Sequence, residues 1–320
     1  MARATARLFD TMAEDYNVLE PWYEHLYALL HPIVLAALAM PTSVHRPRAL
    51  DAGCGTGFQT ALLERLGYET HGVDAAAKLL RVASQRLPAA ALALASVEAL
   101  PYRDASFDAV ACCGSTLSFV DDPAATLREL ARVLKPGGRL LLDVEHRWSL
   151  DLVWTLISAL GGDCLGYGVS PREAWRALVR RPRDGCTVTY PGYGRLRLFS
   201  RAELRTLLTR AGLHPIRCWG IHTVTNLIPS TILHSEHLGP LTTALYQGLR
   251  RLDARWSTSS LAARTANSLV VLVEKRPSSA GFAGAIESWG EAGRSEPTAS
   301  DDRRKGGKAP LPSDARVAAP

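Results

Sequence analysis

The residues of this 320-residue chain best suited to chemistry gather behind one short apolar run. Ala49-Leu50 leads into an acid, Asp51. Gly53, Gly55 and Gly57 then alternate with Cys54 and Thr56, and a helix-like segment over 59–66 follows. A strand, a glycine turn and a helix N-terminus in that order present backbone N–H groups to an anionic or zwitterionic ligand. Glycine there permits torsions and close approach that side chains block. A dinucleotide turn of the G-x-G-x-x-G type would need glycine at position 58, where Phe58 stands. Groups able to move a proton fall after later apolar runs. Glu145 and His146 follow the run 139–144, His222 follows 215–219, and Ser115 and Ser118 follow 107–113. An imidazole titrating near neutrality makes His146 the first candidate base, and His234 and His237 are weaker ones.

These residues need a scaffold. From Arg48 onward the pattern alternates strand with helix, which implies a parallel sheet. Strands are predicted over 49–52, 70–73 (closed by Asp74), 91–95, 107–113, 139–144, 215–219 and 268–275. Helices are predicted over 59–66, 77–86, 124–134 and 201–211. Lys135-Pro136-Gly137-Gly138 stops one helix. Ser200, with Glu203 three residues on, has the pattern of a capping box for another, which ends at Gly212. Residues 1–45 form an amphipathic helical cover, with Phe9, Met12, Tyr16, Leu19, Trp22, Tyr23 and Leu26 near helical spacing. The rhythm lapses over 147–199 and 223–266. These aromatic-rich insertions carry Trp148, Trp154, Tyr167, Trp175, Tyr190, Tyr193 and Tyr246, and they suit a lid over a hydrophobic or aromatic small molecule. Residues 46–276 then form one domain. From Pro277 onward only five of 44 residues are Phe, Ile, Trp, Leu or Val, so residues 277–320 are expected to be disordered.

Composition removes several function classes. The net charge of +6 lies wholly within 1–276, since 277–320 carry six charges of each sign. It is spread without a dense basic run, so it weakly permits nucleic acid or an anionic surface but argues for neither, and no nucleic-acid partner is expected. Six cysteines without a C-x-x-C pair argue for reduced thiols in the cytoplasm and against zinc. No apolar run reaches the roughly 20 residues of a membrane helix, so no integral insertion is expected.

Several segments carry a family resemblance. The Asp51–Gly57 turn resembles motif I of class I S-adenosylmethionine-dependent methyltransferases. Ala95-Ser96-Val97-Glu98-Ala99-Leu100-Pro101-Tyr102 with Phe107-Asp108-Ala109-Val110 resembles the "gDaeaLPF…FDaV" segment of the ubiquinone and menaquinone methyltransferase group. Leu134–Leu140 is similar to that group's "LkPGG.l" turn, and Leu8–Asn17 to its "FD.mA..YD" opening. The resemblance implies a Rossmann-like, seven-stranded, mostly parallel α/β sheet flanked by helices, with S-adenosyl-L-methionine bound at the glycine turn. The implied contacts are Asp51, Gly53, Cys54, Gly55, Thr56, Gly57, Asp74, Ala75, Leu79, Ser96, Val97 and Cys113, with Tyr16 over the cofactor. Asp74 would accept hydrogen bonds from both ribose hydroxyls. At position 96 the group usually has an acid for the adenine amine, and here a serine stands. The expected activity is methyl transfer to O, N or C of a small, hydrophobic or aromatic molecule. An RNA- or DNA-directed enzyme is the alternative, but an Asn/Asp-Pro-Pro-aromatic signature would then stand where the chain reads Cys113-Gly114-Ser115-Thr116. A non-catalytic cofactor-binding protein is the other, supported by Ser96 alone.

Overall fold

The computed structural model describes residues 2–13, 27–39, 46–179, 185–190, 194–233, 238–257, 259 and 261–276. Among the described residues, two helices, α1 (Ala2–Met12) and α2 (Leu30–Ala37), precede the alternating region. That region runs β1 (Arg48–Ala52), α3 (Phe58–Arg65), β2 (Glu69–Asp74), α4 (Ala77–Arg86), β3 (Ala91–Leu94), β4 (Phe107–Cys112), α5 (Thr116–Phe119), α6 (Pro123–Val133) and β5 (Leu134–Glu145). The first insertion holds α7 (Asp151–Leu160), α8 (Pro171–Val179) and the hairpin β6 (Cys186–Tyr190) and β7 (Gly194–Leu198). After α9 (Arg201–Arg210) and β8 (Leu213–Ile221) comes the second, with a 3-10 turn (Thr225–Leu227), α10 (Ser230–Leu233), α11 (Pro240–Trp256) and α12 (Ala262–Thr265). Strand β9 (Ser268–Lys275) follows.

The main sheet has seven strands in the order β3-β2-β1-β4-β5-β9-β8. All pairs are parallel except those of β9, which lies antiparallel to both β5 and β8. The order reverses at β1, with β2 on one side and β4 on the other. In such sheets the crevice beyond the carboxyl ends of the strands at this switch point receives ligands.

Strand β5 shows why the sheet is buried on both faces. Leu140, Leu142 and Val144 enter one core with Leu127 and Leu130 of α6 and Leu204 and Leu208 of α9. Leu141 enters the opposite core with Val34 of α2 and Leu63 of α3. The alternation follows from the two-residue period of a strand, and a central strand with both faces covered reads as a continuous apolar run. Helix starts are locally encoded. Asp122 Oδ1 accepts from the Ala125 amide at 2.9 Å, with Pro123 at the first helical position. Ser200 Oγ accepts from the Glu203 amide at 3.1 Å, as the capping pattern predicts, while the Glu203 carboxylate pairs with Arg197.

Two features differ from the sequence expectation. The Lys135–Gly138 turn is absorbed into β5, which already begins at Leu134. The proline and glycines surface as a register shift against β4 between Phe107 and Ala109. Lys135 Nζ anchors that irregular stretch on both oxygens of Asp108 at 2.8 Å. The hairpin β6–β7 falls where no strand rhythm was expected. It is short, and its core partners come from elsewhere in the first insertion, with Leu152 and Ala177 packing against Cys186, Leu196 and Leu198.

Leu142 is fully buried in the central strand. Leu142→Ala is expected to lower stability by about 2–5 kcal/mol, read as a shift in the urea unfolding midpoint with little change in slope.

Candidate active site

At the switch point β1 ends in a turn with three left-handed glycines: Gly53 at φ 82°, Gly55 at 51° and Gly57 at 91°. Space as well as torsion demands glycine. A Cβ on Gly53 would run into the Thr116 side chain, and one on Gly57 would meet Leu87 Cδ1 at 2.5 Å. The turn is tied to β2 by backbone and side chain together. The Gly53 and Cys54 amides donate to the Val73 carbonyl at 2.7 and 3.0 Å. The Gly55 amide donates to Asp74 Oδ2 and the Ala76 amide to Asp74 Oδ1, both at 2.8 Å. Burial raises the Asp74 pKa above the ordinary carboxylate value, against the pull of these amides.

Around this turn lies a cavity of about 180 Å³. Gly53, Cys54, Gly55, Thr56, Asp74, Ala75, Leu79, Ser96, Val97 and Cys113 all line it, so ten of the expected cofactor residues meet on one wall. Gly57 stands behind the wall, its amide donating to the Cys54 carbonyl at 2.8 Å. Tyr16, His234 and His237 lie outside the described residues. Asp51 requires a correction as a lining residue. It is 1% exposed beneath the turn and accepts from Thr60 Oγ1 at 2.7 Å, while its second oxygen has no partner. Desolvation pushes its pKa up to about 7. Its place is to brace α3 from below.

The lining also includes residues that the sequence reading did not assign to the site. Phe9 of α1 reaches the cavity and packs edge-on against Phe119 with centroids 5.3 Å apart. Asp10 accepts from the Lys78 amide at 2.8 Å and so docks α1 on the start of α4. The "FD" pair quoted above was the available signal. Glu98 brings a carboxylate to the wall that holds Ser96. Its amide donates to Ser96 Oγ at 3.2 Å, and its Oε1 accepts from the Asp122 amide at 2.8 Å.

A second, larger cavity of about 510 Å³ opens beneath the two insertions, and Tyr27, Gly114 and Phe119 line both cavities. Leu152, Val188, Leu196, Leu198, Ile221 and Leu233 make much of its surface apolar. Into this wall β5 sets two acids, Asp143 and Glu145. Ser115, at φ 57°, sits between them. Its hydroxyl lies 2.7 Å from Glu145 Oε1 and 3.2 Å from Asp143 Oδ2, and its amide donates to Asp143 at 3.1 Å. Burial pushes Asp143 up to about 6 and Glu145 up to about 8, partly offset by the Ser115 bonds.

His146, the first candidate base from the sequence, does not line either cavity. The strand period explains it: residues 143 and 145 share one face, and 146 falls on the other. His146 is 1% exposed, donates Nδ1–H to the Ala266 carbonyl at 3.0 Å, and is pushed down to about 4 by burial. Ser118 also serves structure, accepting from the Glu145 amide at 3.1 Å. Ser115, Glu145 and His222 are the proton-moving candidates that do line the larger cavity.

Comparison with known proteins agrees with this geometry. A family described as "Methyltransferase domain" matches residues 50–142. A ubiquinone biosynthesis O-methyltransferase of Xanthomonas campestris pv. campestris is 36% identical over 195 residues, which cover 56% of this chain and 81% of the relative. The chain belongs to the class I S-adenosylmethionine-dependent methyltransferases. Among solved structures, a SAM-dependent methyltransferase and possible histamine N-methyltransferase from Thermotoga maritima aligns with TM-score 0.50 at 19% identity. The alignment covers 85% of this chain and all of that one. The [4+2]-cyclase SpnF aligns with TM-score 0.51 at 17% identity over 84% of this chain and 97% of its own. These two share the fold, and a fold hosts more than one reaction.

The cofactor of this methyltransferase is S-adenosylmethionine, and the smaller cavity fits it. A Cβ on Gly55 would find only Leu79 Cδ1, at 4.0 Å, so the turn leaves the cavity open there, and the Asp74 carboxylate keeps acceptor capacity beyond its two amide bonds. Asp74→Ala leaves the Gly55 and Ala76 amides without their acceptor. It is expected to weaken binding of S-adenosylhomocysteine by about 10- to 100-fold, measured by calorimetry, with the circular dichroism spectrum retained.

The raised pKa values carry a sign for stability. Asp51, Asp143 and Glu145 hold protons in the folded state at pH values where the unfolded chain, with carboxyls near 4, has released them. Their contribution is fully present below the unfolded pKa and is lost progressively as pH rises from there through the folded values of about 6 to 8. The melting temperature should therefore fall across that window, and Asp51→Asn should flatten the fall. A slope unchanged in Asp51→Asn would refute the assignment for that residue.

Proposed function

We propose that this methyltransferase acts on a hydroxyl oxygen of a small hydrophobic molecule held under the lid. The carrying observation is the junction at Tyr27, Gly114 and Phe119, where an apolar cavity large enough for an aromatic acceptor meets the cofactor cavity. Bound S-adenosylmethionine supplies a methyl group on a positively charged sulfur, open to in-line displacement. The chain's own residues align the acceptor and exclude water. The walls of Leu152, Val188, Leu196, Leu198 and Leu233 desolvate the acceptor, and Ser115, Asp143 and Glu145 offer the polar groups that orient its hydroxyl. The name of the Xanthomonas relative supports oxygen as the target atom and a quinone precursor as the class of acceptor.

On this reading the insertions 147–199 and 223–266 act as one substrate lid upon the domain 46–276, and 1–45 act as a cover for the cofactor. Phe9 and Tyr27 in the cavity wall support the second role. Six free cysteines, four of them buried, support a reducing compartment such as the cytoplasm. No helix among the described residues is long and apolar enough to cross a membrane.

The test is transfer of labelled methyl from S-adenosylmethionine to a panel of alkylated phenols and catechols, aliphatic amines, and transfer RNA. Label is expected in the ether products of the hydrophobic phenols. Label confined to amines or RNA would overturn the reading.

A further inference from the structure

The two acids on β5 do more than line a wall. Glu145 Oε2 accepts from Asn267 Nδ2 at 3.2 Å, and Oε1 lies 2.7 Å from Ser115 Oγ, so the carboxylate is held on both oxygens. Unlike His146, it stays partly accessible, and the accessible side is the cavity. Its neighbour Asp143 is 4% exposed, with Oδ1 lacking any partner. Ser115 has a single hydroxyl proton to give. When that proton goes to Asp143 Oδ2, Glu145 can itself donate to Ser115 Oγ, which leaves room for one proton on the pair. Ser115 directly follows Gly114, one of the three residues lining both cavities. The proton site therefore sits beside the junction where the acceptor oxygen must come.

From this geometry we infer that Glu145 is the general base of the methyl transfer, with Ser115 and Asp143 positioning it. This rests on the oxygen-directed reading above. The acceptor O–H bond breaks and its proton passes to the Glu145 carboxylate. The oxygen electron pair forms the new C–O bond, and the electrons of the broken C–S bond stay on sulfur, which becomes a neutral thioether. Charge balances: a cationic sulfonium and an anionic carboxylate become two neutral groups. In a desolvated cavity, loss of both charges favours the transfer.

The charged and titratable groups around Glu145 are of both signs. Asp143 shares its strand. Asp151 and Tyr167 stand in the first insertion, Glu173 and Arg176 on α8, Tyr27 ahead of α2 and His222 after β8. Asp151 is already held by Tyr167 Oη at 2.7 Å and Ser230 Oγ at 2.5 Å. Asp143 and Asp151 add to burial in raising Glu145. As the base must be ionised, activity is expected to be lost as pH falls through about 8.

The test combines kinetics with a spectroscopic titration. With a weakly acidic phenol, wild-type kcat should rise with pH and level off above the Glu145 pKa. Glu145→Gln should lose that limb and fall by about 10²- to 10⁴-fold, with cofactor affinity unchanged by calorimetry. With an acidic nitrophenol, which arrives already ionised, the same variant should lose far less, a rescue that a merely structural role would not give. Infrared difference spectra of the protein without cofactor should show a protonated carboxyl band that disappears at high pH and is missing in Glu145→Gln. A wild type that methylates phenols beside a Glu145→Gln variant with the same pH profile would overturn the base alone. A wild type that methylates no hydroxyl acceptor overturns the functional reading and this base with it.

Discussion

The carboxylate of Asp74 closes β2 and accepts one backbone amide on each oxygen, from Gly55 of the glycine turn and from Ala76 at the start of α4. Two loops leaving adjacent parallel strands are thereby pinned to a single group. The Val73 carbonyl adds a second tie by accepting from both Gly53 and Cys54. Parallel strands need crossover connections, so no hairpin could set this spacing. It is set by β1 and β2 in register and by the acid that ends β2. The burial that raises the Asp74 pKa also keeps water from competing for those amides. The cofactor wall, the docking of α1 through Asp10 on α4, and the position of Phe9 all follow from that tie.

A second constraint is the strand period on β5. One strand feeds both cores with Leu140, Leu141, Leu142 and Val144, then delivers Asp143 and Glu145 to the cavity face at its carboxyl end. Two acids spaced by two residues on a buried strand share surroundings, and Asp143 adds to burial in raising the proton affinity of Glu145. His146, one residue further, falls on the opposite face, closed off by Ala266 and Phe199. Chemistry and packing thus alternate along three consecutive residues.

The insertions rely on carboxylates in the same way, Asp151 half-buried and Asp253 buried. Asp151 at the start of α7 binds Tyr167 and, across the insertions, both the amide and hydroxyl of Ser230. Asp253 of α11 accepts from the amides of Thr223, Val224 and Thr225 and from the Thr225 hydroxyl. These contacts join segments far apart in the chain, and they place Leu152, Val188 and Leu233 around one volume. Each of these acids is a fixed acceptor that organises loops lacking a regular ladder.

The glycine turn, the acid at position 74, the order of strands and helices and the cap at Ser200 were legible in the sequence, because each depends on residues within one or two turns of chain. Gly53 and Gly57 are required by local torsion, Ser200 by the first turn of α9, and the central strands by unbroken apolar runs. The tertiary structure decided what depends on contacts between distant segments. It moved Asp51 below the wall of the smaller cavity, brought Phe9, Tyr27 and Glu98 into the lining, paired Cys186–Tyr190 with Gly194–Leu198, and turned Glu145 rather than His146 toward the larger cavity. Sequence lists both residues side by side at the end of an apolar run. Only the register of β5, fixed by packing on two faces at once, determines which of them meets the cavity.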